Sequence, residues 1–350
     1  MKRLIAFPKA GAYTSPLYEV LSKKGVEVLS GQWSLSWLLS QCRRGDTIHI
    51  HWPSFIYQAN GKSTVKALVG LIKYSFSLIL LRLKGVVIFW TAHNLLPHER
   101  CESAWIDFWA RKLTIWLSGT IFVHGRNAQK VLNSNFPSSR TKCVSIPHGH
   151  WIDYYGPKVD KRSAQERLNL PEDKFTLLMF GQLRPYKNIR FLMDSISVAE
   201  HSDVQLLIAG KFKESDYEAQ ISEAAEKNPN IRLDARFISD EEVPTYLAAS
   251  DLMLMPYSEI LTSGTAMLAI SYGLPVASIK AGFLLDVITE ETGLFLEEIS
   301  QAELIRVINQ AQSMDWAAEA ILTHAKTFSF DEAGQQTYQA LIGDHYSKKP

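Results

Sequence analysis

Short runs of β-branched and apolar residues alternate along the chain with longer stretches whose apolar residues recur at helical spacing. In the first half the runs are "RLIAFP", "VEVLS", "TIHIHW", "VVIFWTA", "TIFVHG" and "CVSIPHG". In the second they are "FTLLMFG", "VQLLIAG", "IRLDARF", "LMLMPY" and "PVASI". Near-continuous apolar strands separated by helices predict parallel sheets covered on both faces, an α/β architecture. Two such series predict two doubly wound domains. The first spans 1–157. A polar linker follows at 158–172, within the stretch "DYYGPKVDKRSAQERLNLPEDK" that carries Gly156, Pro157 and Pro171. The second domain spans 173–325. The closing stretch 326–350, with "FSFDEAGQQTYQALI", reads as a final helix that packs back on the first domain. Ser239 followed by Glu242 marks a helix start with a capping box.

Length agrees with this division, since 350 residues accommodate two domains of roughly 100–200 residues each. A hydrophobic share of 46% is that of a globular protein. Cys42, Cys101 and Cys143 are odd in number and have no CxxC spacing. That argues against a disulfide framework or zinc knuckle and fits a reducing cytoplasm. The apolar run before Pro8 is too short for a secretory signal.

Charge changes the picture more than composition does. Residues 1–160 carry 20 Lys and Arg against 8 Asp and Glu, a net of +12, whereas residues 161–350 carry 17 against 28, a net of −11. No acidic residue lies between Asp46 and Glu99. The first domain therefore expects an anionic partner. No nucleic-acid motif is present, so nucleic acid is not the expected partner. An anionic membrane surface is, because the acid-free span is also apolar. Within it Lys62, Lys66, Lys73, Arg82 and Lys84 flank and interrupt a helical run from Gly61 to Gly85. Its longest uncharged piece, Tyr74 to Leu81, is too short to span a bilayer, which takes about 20 residues. The pattern fits a helix lying in the interface with its cations reaching the headgroups; a core-facing helix fits it too. Trp105, Trp109 and Trp116 recur beside Arg111 and Lys112 and extend the same surface.

In open parallel sheets ligands bind beyond the carboxyl ends of the strands, and the unusual polar residues fall there. After "TLLMF" come Gly181, Arg184 and Lys187. Two cations at a strand–helix junction suit a diphosphate. After "LMLMPY", Thr262, Ser263 and Gly264 open a helix and offer hydroxyls and backbone N–H groups at its positive end. In the first domain His49 and His51 share one face of a strand end. His93, Asn94, His98 and Glu99 follow the next strand, and His148 and His150 follow a later one. This histidine-rich edge suits a general base acting on a hydroxyl. It also raises a metal-dependent hydrolase as a rival, although no HExxH-type spacing occurs and no metal is expected.

The segments "HIHWP", "TAHNLLPHE", "IPHGH", "FGQLRPYKN" and "PYSEILTSGTAMLAISYGLPV" resemble glycosyltransferases of the GT-B fold, two Rossmann-like domains facing across a cleft. More narrowly, they are similar to the β-mannosyltransferases of bacterial exopolysaccharide assembly, of the GDP-mannose:glycolipid type known from the xanthan pathway. The resemblance implies a nucleotide-sugar donor on the C-terminal domain, with Arg184 and Lys187 on its diphosphate. It implies a lipid-diphosphate-linked oligosaccharide acceptor at the N-terminal one. It also implies a role for His93 near the donor sugar, and for Gly11 in the loop "PKAGAYTS" near the reaction centre. The broader retaining group carries a pair of glutamates ahead of a Gly-x-Pro element, where this chain has Leu261 and Leu268; Glu259 stands close to the first. The absence of that pair favours an inverting route.

The expectation is a peripheral glycosyltransferase on the cytoplasmic face of the plasma membrane, needing no cofactor or metal. It moves mannose from GDP-mannose to a polyprenyl-linked glycan. His93, His98, Glu99 and His51 are candidates for the base. Arg184, Lys187, Thr262, Ser263 and Gly264 hold the diphosphate, with Gly181, Glu259, His148 and the Ile238 loop completing the site. UDP-glucose or UDP-glucuronate as donor, or a catalytically silent sugar-nucleotide-binding scaffold, are the alternatives.

Overall fold

The computed structural model describes residues 2–198 and 203–343. The chain forms two compact units, residues 1–149 together with the closing stretch from Ser329, and residues 150–328. Each is built on six parallel strands.

The first unit contains β1 (Arg3–Phe7), β2 (Glu27–Ser30), β3 (Thr47–Ile50), β4 (Val87–Ala92), β5 (Thr120–His124) and β6 (Cys143–Ile146). Its helices are α1 (Thr14–Lys23), α2 (Leu35–Gln41), α3 (Ser54–Tyr57), α4 (Thr64–Leu83), α5 (Ala104–Leu117) and α6 (Arg126–Asn135). The strand order is β2-β1-β3-β4-β5-β6, every pair parallel. The order reverses between β1 and β3, and the carboxyl ends at such a switch point are the ligand-binding edge of a doubly wound sheet. The strands are buried on both faces, which is why they read as unbroken apolar runs. Ile5, Ile48, Ile88, Leu71, Tyr74 and Leu78 belong to one core, and all are buried.

Helix α4 runs for 20 residues, and its most apolar 18-residue window has a mean hydropathy of 1.6. By length and composition it therefore reaches what a membrane crossing needs, unlike the uncharged piece taken alone. It is one such helix among the described residues, and 39% of that window is buried in the unit. One stripe, Ala67, Gly70, Leu71, Tyr74, Leu78 and Leu81, packs inward. Gly70 lets the helix approach α3, since a Cβ there would meet the Tyr57 carbonyl oxygen at 1.9 Å. The other stripe, Val65, Val69, Ile72, Phe76, Ile79 and Leu83, is exposed.

The second unit contains α7 (Lys161–Leu168), β7 (Phe175–Phe180), α8 (Ile189–Val198), β8 (Val204–Ala209), α9 (Ser215–Glu226), β9 (Ile231–Asp234), α10 (Val243–Ala248) and β10 (Leu252–Met255). It continues with α11 (Gly264–Ser271), β11 (Val276–Ile279), α12 (Leu284–Val287), β12 (Gly293–Leu296), α13 (Gln301–Ser313) and α14 (Ala318–Lys326). The order β12-β11-β10-β7-β8-β9 is that of a Rossmann sheet, with its switch point between β7 and β10. Strand β12 lies at the edge and pairs with β11.

Three sequence expectations change here. The division falls at Gly149–His150, not at 157. The stretch 158–172 is no linker: it holds α7, capped by Asp160, whose carboxylate accepts from the Ser163 N–H at 3.1 Å. Ala164, Gln165 and Leu168 give α7 a buried face that packs on α10. Helix α10 begins at Val243, later than Ser239 predicts, while the Ser239 N–H donates to the Glu242 carboxylate at 3.1 Å, the carboxylate half of the expected capping box.

The last helix, α15 (Phe330–Ile342), packs against α1 of the first unit. Gly334 makes the contact close, since a Cβ there would meet the Val20 side chain at 2.5 Å. The expected helix beyond residue 343 lies outside the described residues.

Candidate active site

In the first unit, four adjacent parallel strands each deliver a histidine to the same edge. His51 follows β3, His93 follows β4, His124 ends β5 and His148 follows β6. Parallel register makes this a row: ring centroids are 5.3 Å apart from His51 to His93, 5.3 Å from His93 to His124 and 4.7 Å from His124 to His148. Tyr13, just before α1, lays its ring across all four, at 5.7, 4.9, 5.1 and 5.1 Å in the same order. Trp52 stacks on His93 at 4.5 Å and 15°.

Hydrogen bonds run beneath the row. His51 Nδ1 is 3.0 Å from His93 Nε2, and His51 Nε2 is 2.7 Å from the Tyr18 hydroxyl. That hydroxyl is 3.1 Å from His49 Nδ1, and His49 Nε2 is 2.8 Å from Thr91 Oγ1. All these groups are buried. Burial disfavours the imidazolium, so the histidines are held below their ordinary range, His49 at about 3 and His148 at about 4, with His51, His93 and His124 also well down. At neutral pH the row consists of uncharged bases.

Of the four proposed bases, the structure brings His51 and His93 together and places the other two differently. His98 is exposed on the loop after β4. The Glu99 carboxylate pairs with Lys62 at 2.5 Å. His124, Tyr13, Tyr18 and Thr91 were not singled out from sequence; the strand-end position of His124 was the one available signal. Gly11 lies in the β1–α1 loop with φ +155, and its N–H donates to Ser15 Oγ at 3.1 Å.

Among the described residues no group of three or more His, Cys, Asp or Glu is placed to hold a metal ion.

In the second unit the site forms at the switch point. Gly181 closes β7 with φ +94. The loop after it is tied to the loop after β10: Asn188 Nδ2 donates to the Pro256 carbonyl at 2.6 Å and the Ser258 N–H to the Tyr186 carbonyl at 2.9 Å. Lys187 is buried, donating to the Phe180 carbonyl at 2.9 Å and lying 5.0 Å from the Tyr257 ring centroid. Burial and the neighbouring Arg184 charge bring it down to about 7. Around Gly181, Lys187 Nζ and Thr265 Oγ1 lie within 3.7 and 3.8 Å of where a side chain would begin. The cation and the start of α11 thus converge on one small space.

Ser263 differs from expectation. Its hydroxyl caps α11, accepting from the Ala266 N–H at 3.1 Å, so the helix start offers the N–H groups of Gly264 and Thr265 instead, which helix geometry leaves without an intrahelical partner. The hydroxyl beside Lys187 is that of Thr265, a residue not singled out from sequence. Thr262 is half-buried next to the cap. Trp151 covers Gly264, where a Cβ would meet its ring at 3.2 Å. Arg184 donates to Gln182 Oε1 at 3.0 Å. Leu261 and Leu268 are buried and Glu259 is exposed. On the loop after β9, Ile238 is buried, and its neighbour Phe237 is exposed.

The surface expected to meet a membrane is partly rearranged. Trp105, Trp109 and Trp116 are exposed on α5, which packs on α4. Lys66, Lys73, Arg82 and Lys112 are exposed, and Lys112 sits 4.8 Å from the Phe108 ring centroid. Two cations are used internally: Lys62 pairs with Glu99, and Lys84 donates to the Leu39 carbonyl. Arg111 points inward. Its guanidinium lies 4.2 Å from the Trp90 centroid and donates to the Leu95 and Asn94 carbonyls, at 2.7 and 3.1 Å, holding the loop that follows His93.

Two parallel α/β units of these strand orders define a GT-B fold. The likeness extends over whole chains: 99% of this one superposes on sucrose-phosphate synthase of Thermosynechococcus elongatus, covering 100% of it, at a TM-score of 0.76 and 15% identity. Anabaena HepE, solved with UDP and glucose, matches over 98% of this chain and 99% of its own at a TM-score of 0.72 and 16% identity. Residues 160–327 match the family of glycosyl transferases group 1, so the second unit carries a domain of that group. It is 26% identical over 239 residues to the GDP-mannose:glycolipid 4-beta-D-mannosyltransferase of Xanthomonas campestris pv. campestris, over 67% of this chain. The match spans about three-fifths of the length of that curated relative, 61%.

Proposed function

We propose that this chain transfers a hexose, mannose from GDP-mannose in the first instance, onto a polyprenyl-diphosphate-linked glycan in exopolysaccharide or capsule assembly, with inversion to a β-linkage. The observation that carries the donor assignment is the convergence of Lys187 Nζ and Thr265 Oγ1 on Gly181 at the β7–β10 switch point. Lys187 and Arg184 supply charge, and the first N–H groups of α11 supply the positive end of a helix. Together they suit the leaving diphosphate, whose negative charge grows as the glycosidic bond breaks. Solved structures of similar fold hold UDP, UDP-glucose and ADP; the curated relative named for GDP-mannose supports the choice of base and sugar.

In this reading the acceptor hydroxyl attacks the anomeric carbon, its proton passes to His93, and the nucleoside diphosphate departs. Leu261 and Leu268 support inversion, since no carboxylate pair stands ahead of Gly273. The exposed apolar stripes of α4 and α5, rimmed by Lys66, Lys73, Arg82 and Lys112, support attachment to an anionic membrane from the cytoplasmic side. Nucleotide binding tests the donor site: GDP should stabilise the fold in a thermal-shift assay, and Arg184→Ala or Lys187→Met should each remove most of that stabilisation. If neither GDP nor UDP stabilises the wild-type chain, the donor site is wrongly assigned.

A further inference from the structure

The buried chain Thr91–His49–Tyr18–His51–His93 is unusual in that every link joins groups that both donate and accept. A neutral imidazole carries one N–H, and a hydroxyl carries one O–H. When the Tyr18 proton is itself used within the series, four contacts of 2.7–3.1 Å are satisfied without a clash of protons or lone pairs in two senses. In one, His93 Nε2–H donates to His51 Nδ1, His51 Nε2–H to the Tyr18 oxygen, the Tyr18 O–H to His49 Nδ1 and His49 Nε2–H to Thr91 Oγ1. In the other every proton runs backwards and His93 carries its hydrogen on Nδ1. The first sense leaves the lone pair of His93 on Nδ1; the second removes it. Within this series the tautomer of His93 is coupled to groups as remote as α1.

We infer that Tyr18 and His49, acting through His51, are positioning residues that hold His93 as the Nε2–H tautomer, with the basic lone pair on Nδ1. This rests on His93 serving as the base. The proton balance is closed within the chain. When Nδ1 takes the acceptor's proton as the new glycosidic bond forms, His93 becomes an imidazolium whose Nε2–H is already bonded to His51 Nδ1. That proton shifts toward His51, and the His51 Nε2–H toward Tyr18, so the charge spreads over buried rings without leaving the protein. The same protons return when His93 releases its proton. A single desolvated imidazolium is costly; a hydrogen-bonded acceptor behind it reduces that cost. Tyr18 is the keystone, since its hydroxyl bonds both His49 in β3 and His51 just after it. With Phe at this place His51 Nε2 faces an apolar ring, and a buried N–H without an acceptor is costly. His51 then favours its Nδ1–H form, which donates to His93 Nε2 and pushes the His93 hydrogen onto Nδ1.

The test reads the tautomer directly. The full chain is prepared with only its histidine ring nitrogens labelled with nitrogen-15, and His93 is assigned by comparison with His93→Gln. The expected spectrum shows wild-type His93 protonated at Nε2 and unprotonated at Nδ1, with Tyr18→Phe giving a mixture or the reverse. With whichever donor supports turnover, Tyr18→Phe should lose about 10- to 100-fold in kcat at nearly unchanged KM, with an altered solvent isotope effect. A wild-type His93 protonated at Nδ1 overturns the inference even if Tyr18→Phe does not fold. So does a Tyr18→Phe variant with unchanged tautomer and kcat. Full activity in His93→Gln would instead remove the assignment of the base, and that outcome is distinguishable because the wild-type tautomer is read without turnover.

Discussion

Lys187 concentrates the chemistry of the proposed donor site into one titratable group. Burial and Arg184 hold it at about 7 in the free chain, and a bound diphosphate supplies the negative charge that raises it. Binding above neutrality is therefore coupled to proton uptake, and binding well below it is not, because the ammonium is already formed. Calorimetric titration with GDP at about pH 8, in buffers of different ionisation heat, should show uptake approaching one proton per site. At about pH 6 the uptake should vanish, and Lys187→Met should abolish the uptake seen at the higher pH. Identical heats in all buffers at the higher pH contradict the assignment. Residues of this kind were legible in the sequence because their type is unusual for their place: Arg184 and Lys187 are cations at a strand end of an acidic half, and His51 and His93 are paired histidines after apolar strands. Tyr13, Tyr18, Thr91 and Thr265 were not legible. Their types are ordinary, and their roles arise because α1 returns over the sheet edge and α11 starts beside Gly181.

At the level of elements, the packing of α4 makes a direct prediction. Gly70 lies where the helix crosses α3, against the Tyr57 carbonyl. Gly70→Ala should cost about 1–3 kcal/mol through displaced backbone, despite the better helix propensity of alanine. Urea unfolding measures it, and an unchanged or raised midpoint would show that the helices do not meet as described. Eleven strands were visible as apolar runs; β12, "GLFL", is an edge strand whose two central residues are half-buried, and its pattern is correspondingly weak. Helix α7 was misread as linker because "KRSAQERL" is almost wholly polar. Only Ala164, Gln165 and Leu168 turn inward, and that face gains meaning from α10. Arg111 was misread for the opposite reason, since it stands among exposed tryptophans while its own position on α5 faces Trp90.

Across the whole molecule, the contrast between a +12 first half and a −11 second half gives the two units different surroundings. The first carries the exposed apolar stripes of α4 and α5 with their cations. It should bring the chain down with anionic vesicles at low salt, and added salt at about 0.5 M should release it, because the attraction is screened. Joint replacement of Trp105 and Trp109 by Ala should weaken binding at every salt concentration; a chain that stays in the supernatant at low salt contradicts a membrane role for this face. The central claim is sugar transfer, and it is tested most directly by incubating the full chain with radiolabelled GDP-mannose, UDP-glucose and UDP-glucuronate and a lipid extract containing polyprenyl-linked glycans. The account predicts label entering the lipid phase from GDP-mannose, lost in His93→Gln and Lys187→Met. No transfer from any donor, with GDP still bound, would contradict it and leave a nucleotide-binding scaffold in its place.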